Sequence, residues 1–205
     1  QFFLIEKLKT QTLVVGYDFS FGTKREGTVE FLRKICEKMK VKLVVVPPYF
    51  LGDEVVSSSR VREQLREGAV EAARDLLGRE FYLRGLVRHG EARGRTIGVP
   101  TANMTPTVDF VPRKGVYVTR THLRQQWHYS ITNIGFNPTF VSNLVPQVKA
   151  ETHILDFNED IYGQEIQVDV LKFLRDEKKF SDIQSLVAQI RVDIDQAREF
   201  FRGQS

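Results

Sequence analysis

The pattern of apolar and polar positions changes character near residue 80. Before that point, short apolar runs over residues 13–16 and 41–46 predict two buried strands. Between the runs, apolar residues recur at helical spacing, at Val29, Leu32, Ile35, Cys36 and Met39. This order of strand, loop, helix and strand predicts part of a parallel α/β sheet. Two short helical stretches follow, the first broken at Gly68 and the second stopped at Gly78.

From Phe81 onward, short apolar runs alternate with polar positions at a period of two. Runs of this kind cover residues 115–118, 129–134, 153–157 and 166–173. Because they are short and separated by Gly, Pro and Asn, they predict a small antiparallel barrel. Ser181-Asp182-Ile183-Gln184 then has the form of a capping box that begins a helix. We expect one apolar face of this helix to pack on the barrel, formed by Ile183, Leu186, Val187, Ile190, Ile194, Ala197 and Phe201.

The predicted fold class is therefore an α/β domain over residues 1–80, followed by a β-barrel domain over residues 81–205 that ends in a helix. The chain begins at Gln1 rather than at a methionine, so we expect further residues upstream in the full protein.

Composition and charge exclude several classes of protein. With 41% hydrophobic and 27% charged residues among 205, the chain is typical of a globular protein, and its net charge of +4 suits an anionic ligand such as a nucleotide. Its single cysteine, Cys36, excludes a disulfide within the chain and favours a reducing cytoplasm. No apolar run approaches the roughly 20 residues that span a bilayer, so we expect no membrane partner.

A basic, glycine-rich segment is the first candidate for chemistry. Gly85, Gly90, Gly94 and Gly98 punctuate a stretch that contains Arg88, His89, Arg93 and Arg95. Glycine lets backbone N–H groups approach an anion closely, and arginine adds charge that a polyphosphate attracts. A flexible hairpin with solvated arginines fits this segment equally well.

The next four residues are Pro100-Thr101-Ala102-Asn103. On an extended chain the hydroxyl of Thr101 and the carboxamide of Asn103 share one face. Mg²⁺ accepts neutral oxygen ligands together with phosphate oxygens, so these two residues are candidate metal ligands for a nucleotide-bound Mg²⁺. The alternative is an ordinary hydrogen-bonded turn.

Phosphoryl transfer to a hydroxyl also needs a group that accepts the hydroxyl proton. Glu151, at the start of the run Glu151-Thr152-His153-Ile154, is the candidate base, and a solvated glutamate at the end of a strand is the alternative. His153 shares its face, but two possible ligands do not make a zinc site. The chain contains neither a Gly-x-x-x-x-Gly-Lys-[Ser/Thr] loop nor the protein-kinase signatures, so any such chemistry uses another scaffold.

These motifs occur together in an order that resembles riboflavin kinase. The match runs through residues 85–103, Gly115-Val116-Tyr117, Asn133-Ile134-Gly135 with Pro138-Thr139-Phe140, Glu151-Thr152-His153 and the segment Leu174-Arg175-Asp176-Glu177-Lys178-Lys179-Phe180. Val99 stands where the family often has an aromatic residue.

The resemblance implies ATP and riboflavin as substrates and FMN as product. Thr101 and Asn103 would bind the Mg²⁺-nucleotide, and Glu151 would deprotonate the 5′-hydroxyl of the ribityl chain for in-line attack on the γ-phosphate. The glycine-rich segment, with Gly85, His89, Gly90, Gly94, Arg95, Gly98 and Pro100, would close over the nucleotide. Arg175 would belong to a loop near the flavin.

The first domain resembles the adenylyltransferase module of bacterial bifunctional FAD synthetases, which converts FMN to FAD. The resemblance rests on residues 15–22, on Arg25-Glu26-Gly27, and on Ser57-Ser58-Ser59-Arg60-Val61-Arg62. It implies that Ser58, Ser59, Arg60 and Arg62 contact ATP phosphates, although a helix cap followed by a basic surface fits the same residues. The family's first strand and its histidine-containing loop are missing here, so we expect an incomplete second site.

Two other classes of function stay open. A barrel can bind flavin without catalysing a reaction, and the basic residues over 84–95 also suit a nucleic acid. Those arginines lack the interleaved aromatic residues that stack on bases, so we expect no nucleic-acid partner.

Overall fold

The computed structural model describes residues 7–90, 94, 98–106, 110, 112–137 and 147–203. Contacts between residues divide the chain into two compact units, Gln1–Val56 and Ser57–Ser205.

The first unit contains the predicted strand, helix and strand. β1 (Thr12–Gly16) pairs in parallel with β2 (Lys42–Val46), and α1 (Val29–Met39) connects them. The side chain of Thr28 caps α1 by accepting a hydrogen bond from the Phe31 N–H. Buried apolar residues join the helix to the sheet, namely Val15, Val29, Leu32 and Cys36. A short hairpin of β3 (Phe50–Leu51) and β4 (Glu54–Val55) follows.

The second unit is built on a closed antiparallel barrel of six strands, which confirms the predicted barrel. Its strands are β5 (Phe81–Arg88), β6 (Ala102–Met104), β7 (Gly115–Leu123), β8 (Gln126–Asn137), β9 (Gln147–Ile154) and β10 (Glu165–Arg175). Around the barrel their order is β10, β5, β6, β9, β8 and β7, and β7 pairs with β10 to close it. The run predicted over residues 153–157 ends as a strand at Ile154.

Side chains fill the interior of the barrel. Apolar residues from all six strands form one buried cluster, which includes Leu83, Met104, Tyr117, Ile134, Ala150 and Val168. Five buried hydroxyls add a hydrogen-bonded chain in the order Thr121, Ser130, Thr119, Thr132 and Thr152. Because inward positions are buried, the polar residues between them on the same strands face outward.

Two helices precede the barrel. The side chain of Ser57 caps α2 (Ser58–Glu67), which ends at Gly68, and α3 (Val70–Leu77) ends at Gly78, as predicted. Both glycines have a positive φ, 82° and 68°, which glycine adopts without strain. Leu65 and Val70 join the barrel's core, so these helices belong to the same compact unit as the barrel. A functional boundary between residues 80 and 81 stays a prediction.

The last helix, α4 (Ile183–Arg202), packs on the outside of the barrel as predicted. Ala197 and Phe201 are buried there against apolar residues of the strands and of the turn after β9, namely Val118, Ile131, Leu155 and Leu171. Ile183 was wrongly assigned to this face, since it is 65% exposed.

The predicted capping box of α4 is also wrong, because the helix begins one residue later. Asp182 is the cap, and its carboxylate accepts hydrogen bonds from the Ser185 N–H at 2.8 Å and the Ser185 hydroxyl at 2.8 Å. Ser181 donates its own hydroxyl to the same carboxylate.

Across the described parts of the chain, we find no helix whose length and apolar character would let it cross a membrane.

Candidate functional site

Four polar residues from adjacent strands form a row on the outer face of the barrel, which we call the polar row. The strand register pairs Arg88 with Asn103, Asn103 with Glu151, and Glu151 with Asn133. Residues paired in this way point to the same face of a sheet. Their neighbours along the strands fill the interior and are at most 2% exposed, namely Val87, Met104, Ala150 and Ile134. The structure therefore brings the predicted base, Glu151, next to the predicted metal ligand, Asn103.

The segment Pro100 to Asn103 is held against the barrel from both sides. Asn103 Nδ2 donates to the Thr101 carbonyl at 3.3 Å and lies 3.5 Å from Thr101 Oγ1, so both side chains lie on one side of the segment, as predicted. His153 Nδ1 forms a 2.8 Å hydrogen bond with the Pro100 carbonyl oxygen. Since a carbonyl only accepts, Nδ1 carries the proton. His153 thus fixes this segment to β9.

Two of the predicted glycines lie directly against that segment. A Cβ on Gly90 would lie only 2.4–2.6 Å from the three carboxamide heavy atoms of Asn103. A Cβ on Gly94 would lie 2.3 Å from the Val99 carbonyl oxygen and 3.4 Å from Thr101 Oγ1. At Gly90 the chain therefore approaches Asn103 more closely than a residue with a side chain could, and at Gly94 it approaches the Val99 carbonyl in the same way.

The other predicted residues of the glycine-rich segment have different surroundings. Gly85 faces the barrel interior, where a Cβ would lie 3.2 Å from Met104 Cγ. Gly98 has a φ of 77°, and a Cβ there would contact nothing within 4 Å. The His89 ring stacks on Tyr162 with centroids 3.8 Å apart. Arg95 lies outside the described residues.

Glu151 and Asn133 have further partners that the sequence did not assign. Lys149 Nζ forms an ion pair with Glu151 Oε1 at 2.5 Å, with side chains 29% and 35% exposed. Asn133 Nδ2 donates to Glu177 Oε1 at 3.2 Å. Asn133 Oδ1 is buried and accepts no hydrogen bond from the residues that the structure describes. Lys149 lies two residues before Glu151 on β9, so a period of two places both on one face. Only the strand register, which the sequence does not display, reveals that Asn133 adjoins the predicted base.

Arg175 has a structural partner. Its guanidinium forms a two-pronged ion pair with Asp193 of α4, with Nε to Oδ1 at 2.9 Å and Nη2 to Oδ2 at 2.7 Å. Nη1 donates to the Asp176 carbonyl at 3.0 Å. The two side chains are 16% and 2% exposed, so this pair fastens α4 to β10. A contact between Arg175 and flavin stays a prediction.

The predicted phosphate-binding residues Ser58, Ser59, Arg60 and Arg62 lie in the first two turns of α2. Ser57 Oγ accepts a hydrogen bond from the Arg60 N–H at 3.3 Å, which confirms the helix cap. Contacts with ATP phosphates stay a prediction for all four residues.

Tyr117 lies in the barrel interior, one residue along β7 from the partner of Asn133. Burial raises the pKa of its phenol, which therefore stays protonated at neutral pH. The hydroxyl donates to the Arg113 carbonyl oxygen.

The donor atoms near Glu151 fit Mg²⁺. The hydroxyl of Thr101, the carboxamide oxygen of Asn103 and the carboxylate of Glu151 are all hard oxygen ligands. Within the described ranges, no three His, Cys, Asp or Glu side chains form a group that could hold a metal ion. His153 instead uses one ring nitrogen to hold Pro100.

Two clefts lie elsewhere, beside α4, with volumes of about 600 and 300 Å³. Residues such as Lys172, Glu80 and Phe200 line them, and neither cleft includes a residue of the polar row. The polar row is therefore separate from both clefts.

Comparison with known proteins shows which families the two parts of the chain match. The family model for riboflavin kinase matches residues 77–201, and that for FAD synthetase matches residues 1–60. The bifunctional riboflavin kinase/FMN adenylyltransferase of Listeria monocytogenes is 35% identical over 195 residues, covering 95% of this chain and 61% of that protein. The protein of the same name from Escherichia coli K12 is 38% identical over 199 residues, covering 97% and 63%. The chain thus spans about three fifths of the length of these relatives.

A solved structure extends the likeness to the whole fold. A crystal structure described as a macrolide-efflux protein from Streptococcus pneumoniae superposes with a TM-score of 0.76 at 35% identity, covering 96% of this chain and 64% of that one. The fold and the family match agree, and the chain belongs to the riboflavin kinase family, with a preceding segment that matches FAD synthetase.

Proposed function

We propose that this protein is a riboflavin kinase, which transfers the γ-phosphate of ATP to the 5′-hydroxyl of riboflavin and produces FMN. The pairing of Glu151 with Asn103 on adjacent strands carries the proposal. It sets a carboxylate that can accept a proton beside oxygen ligands that suit a nucleotide-bound metal ion.

Each residue has a separate task in this reaction. Thr101 and Asn103 would hold Mg²⁺ together with the nucleotide, and the bound ion would offset the charge of the phosphates. Glu151 accepts the proton of the attacking hydroxyl. Neighbouring strands lie about 4.8 Å apart, so the two groups can hold their substrates in contact with each other. Such positioning accounts for a large share of the catalysis of phosphoryl transfer.

The glycine-rich segment supports binding of the nucleotide. Gly90 and Gly94 bring the backbone against Asn103 and Thr101, so main-chain N–H groups can reach phosphate oxygens bound there. We propose that Arg95 adds positive charge to the same site.

Lys149 can take part as the nucleotide binds. Its ammonium is paired with Glu151 in the free protein. The phosphates offer it a stronger partner, and its departure would expose the carboxylate of Glu151 to the attacking hydroxyl.

The test is incubation with riboflavin and Mg-ATP, with FMN separated by chromatography. We expect Glu151→Gln to bind flavin and nucleotide but to lower turnover by about 10²–10⁴-fold, which is the usual contribution of a general base. Glu165→Gln is the matched control, because Glu165 is also a strand glutamate paired with a basic residue, Arg84, but lies outside the polar row. Near-normal turnover by Glu151→Gln would remove this residue from the role, whereas flavin binding without FMN formation by the unsubstituted protein would indicate a non-catalytic flavin-binding barrel.

For the whole protein we also propose FMN adenylyltransferase activity, with FAD as product. The match of residues 1–60 to FAD synthetase supports this second activity, and Ser58, Ser59, Arg60 and Arg62 are the proposed contacts for ATP phosphates. A cytoplasmic location suits both reactions. Formation of FAD from FMN and Mg-ATP by the full-length protein is the test, and its absence would contradict this second activity alone.

A further inference from the structure

The carboxamide of Asn133 is only half satisfied. Its Nδ2 donates to Glu177 Oε1 at 3.2 Å, but its buried Oδ1 accepts nothing from the described residues. A buried acceptor without a donor is unfavourable, and such atoms are uncommon in folded proteins. An unsatisfied oxygen beside a proposed catalytic base therefore needs an explanation.

The position of Asn133 indicates which substrate it meets. Glu151 lies between Asn103 and Asn133 in the polar row, with one strand on each side. Asn103 and the glycine-rich segment mark the nucleotide side of the base. Since strands are about 4.8 Å apart, Asn133 lies roughly 10 Å from Asn103, too far for both to bind the same small metal ion. The substrate that carries the attacking hydroxyl therefore lies on the other side of Glu151, over Asn133.

Glu177 fixes the orientation of the carboxamide. Its Oε1 lies only 2.7 Å from the position of a Cβ on Gly135, so a glycine at that position makes room for the carboxylate. A carboxylate only accepts hydrogen bonds, so it selects the Nδ2 end of Asn133. The Oδ1 end is then the one available to a donor.

We infer that Asn133 recognises the polyol side chain of the substrate, with Oδ1 accepting a hydrogen bond from a secondary hydroxyl while Glu151 takes the proton of the terminal hydroxyl. This inference rests on the proposed function, because it assumes that the ribityl chain of riboflavin ends at Glu151. Glu177 is then a positioning residue that acts through Asn133.

The oxygen becomes accessible when a neighbouring side chain moves. Glu151 is the residue directly opposite Asn133, and its partner Lys149 pairs with Gly135 in the register. Both are partly exposed and can turn aside as substrates bind. Entry of the polyol and release of the base are therefore coupled.

The experiment measures the Kd of riboflavin, and of analogues that each lack one secondary hydroxyl, from quenching of flavin fluorescence in the presence of Mg-ADP. The unsubstituted protein should bind one analogue about 3- to 10-fold more weakly than riboflavin, as expected for one neutral hydrogen bond. Asn133→Leu should lose a similar factor for riboflavin and should no longer distinguish that analogue. Its affinity for the nucleotide should not change.

Variants of Glu177 separate positioning from packing. Glu177→Gln keeps the size of the side chain, but its carboxamide donates as well as accepts and no longer selects the Nδ2 end of Asn133, so the selectivity among analogues should fall. A role in packing alone would leave that selectivity unchanged in Glu177→Gln. If Asn133→Leu does not fold to the same stability in urea, Asn133→Ser serves in its place.

Selectivity among the analogues that persists in the Asn133 variants would overturn the inference. Because binding is measured without turnover, a protein that binds flavin but forms no FMN would contradict the kinase proposal. The Kd values of the analogues would still test the role of Asn133. Absence of flavin binding by the unsubstituted protein would contradict both.

Discussion

Gly90→Ala is the substitution whose effect follows most directly from the geometry of the site. The backbone of Gly90 is not in the left-handed region, so alanine causes no strain in its own dihedral angles. Its Cβ would, however, lie 2.4–2.6 Å from the carboxamide of Asn103, where ordinary contacts begin at 3.4 Å. Either the glycine-rich segment or Asn103 must move away.

The expected loss is large because the displaced group is a proposed ligand of the nucleotide-bound metal ion. Relieving the clash requires a shift of about 1 Å, and a misplacement of that size can lower turnover by about 100-fold. Steady-state kinetics with Mg-ATP should show this loss, while the urea midpoint changes little because Gly90 is exposed. Gly203→Ala is the control, since a Cβ there would have its nearest contact at 3.7 Å.

A double substitution tests the cause. Asn103→Ala removes the carboxamide that the new methyl group meets, so adding Gly90→Ala to it should cause little further loss. Such non-additivity is expected when two residues act through one contact. Wild-type kinetics for Gly90→Ala, or losses that simply multiply in the double variant, would refute this reasoning.

Two further predictions concern α4. Asp193→Ala should lower the free energy of unfolding in urea by about 3–5 kcal/mol, because it leaves the Arg175 guanidinium without its buried partner. Asp195→Ala, at an exposed position of the same helix, is the matched control. A change below about 1 kcal/mol in Asp193→Ala would contradict the structural role of Arg175. Hydrogen bonds from the Ser185 N–H and hydroxyl lower the pKa of Asp182, so its contribution to stability is present above the unfolded pKa and is lost as the pH falls through the folded value. Asp182→Asn keeps a capping side chain without the charge. In thermal unfolding, the stability of this variant should therefore fall less steeply below about pH 4 than that of the unsubstituted protein. The same pH profile for both proteins would contradict the role of the Asp182 charge.

Apolar runs and periodicity were enough to predict the elements with a regular pattern, but not those whose pattern is interrupted or too short. The runs that became β8 and β10 alternate over part of their length, and the apolar residues of α1 and most of α4 recur at helical spacing. The β7 run is apolar at consecutive positions, because Tyr117 faces the interior while Val118 is buried under α4. β5 escaped prediction because Gly85 and charged residues interrupt its alternation, and the three residues of β6 are too few to show a period. The place of β6 in the sheet depends on pairing with β5 and with the distant β9.

Prediction of the site from the sequence was limited for the same reason, because pairing between strands is not visible in the sequence. Thr101, Asn103 and Glu151 could be proposed from chemistry and motif, but their adjacency depends on the register of β6 and β9. Asn133 lies in a segment of the motif match but was given no role, and Lys149 had no motif at all, since a lysine or asparagine in a strand is ordinarily solvated. At the start of α4, two overlapping capping patterns compete, and Asp182 prevails because Ser185 offers its carboxylate two donors.

The order of strands around the barrel affects when the site can form during synthesis and folding. β6 is held between β5 and β9, and β5 is in turn held by β10, the last strand to leave the ribosome. Pairing over such sequence distances is slow, because the entropy of closing the chain must be overcome first. Until β10 closes the barrel, the short β6 lacks a stable neighbour on one side. A chain that is still being translated therefore carries the residues proposed to bind the nucleotide but no surface that holds them together.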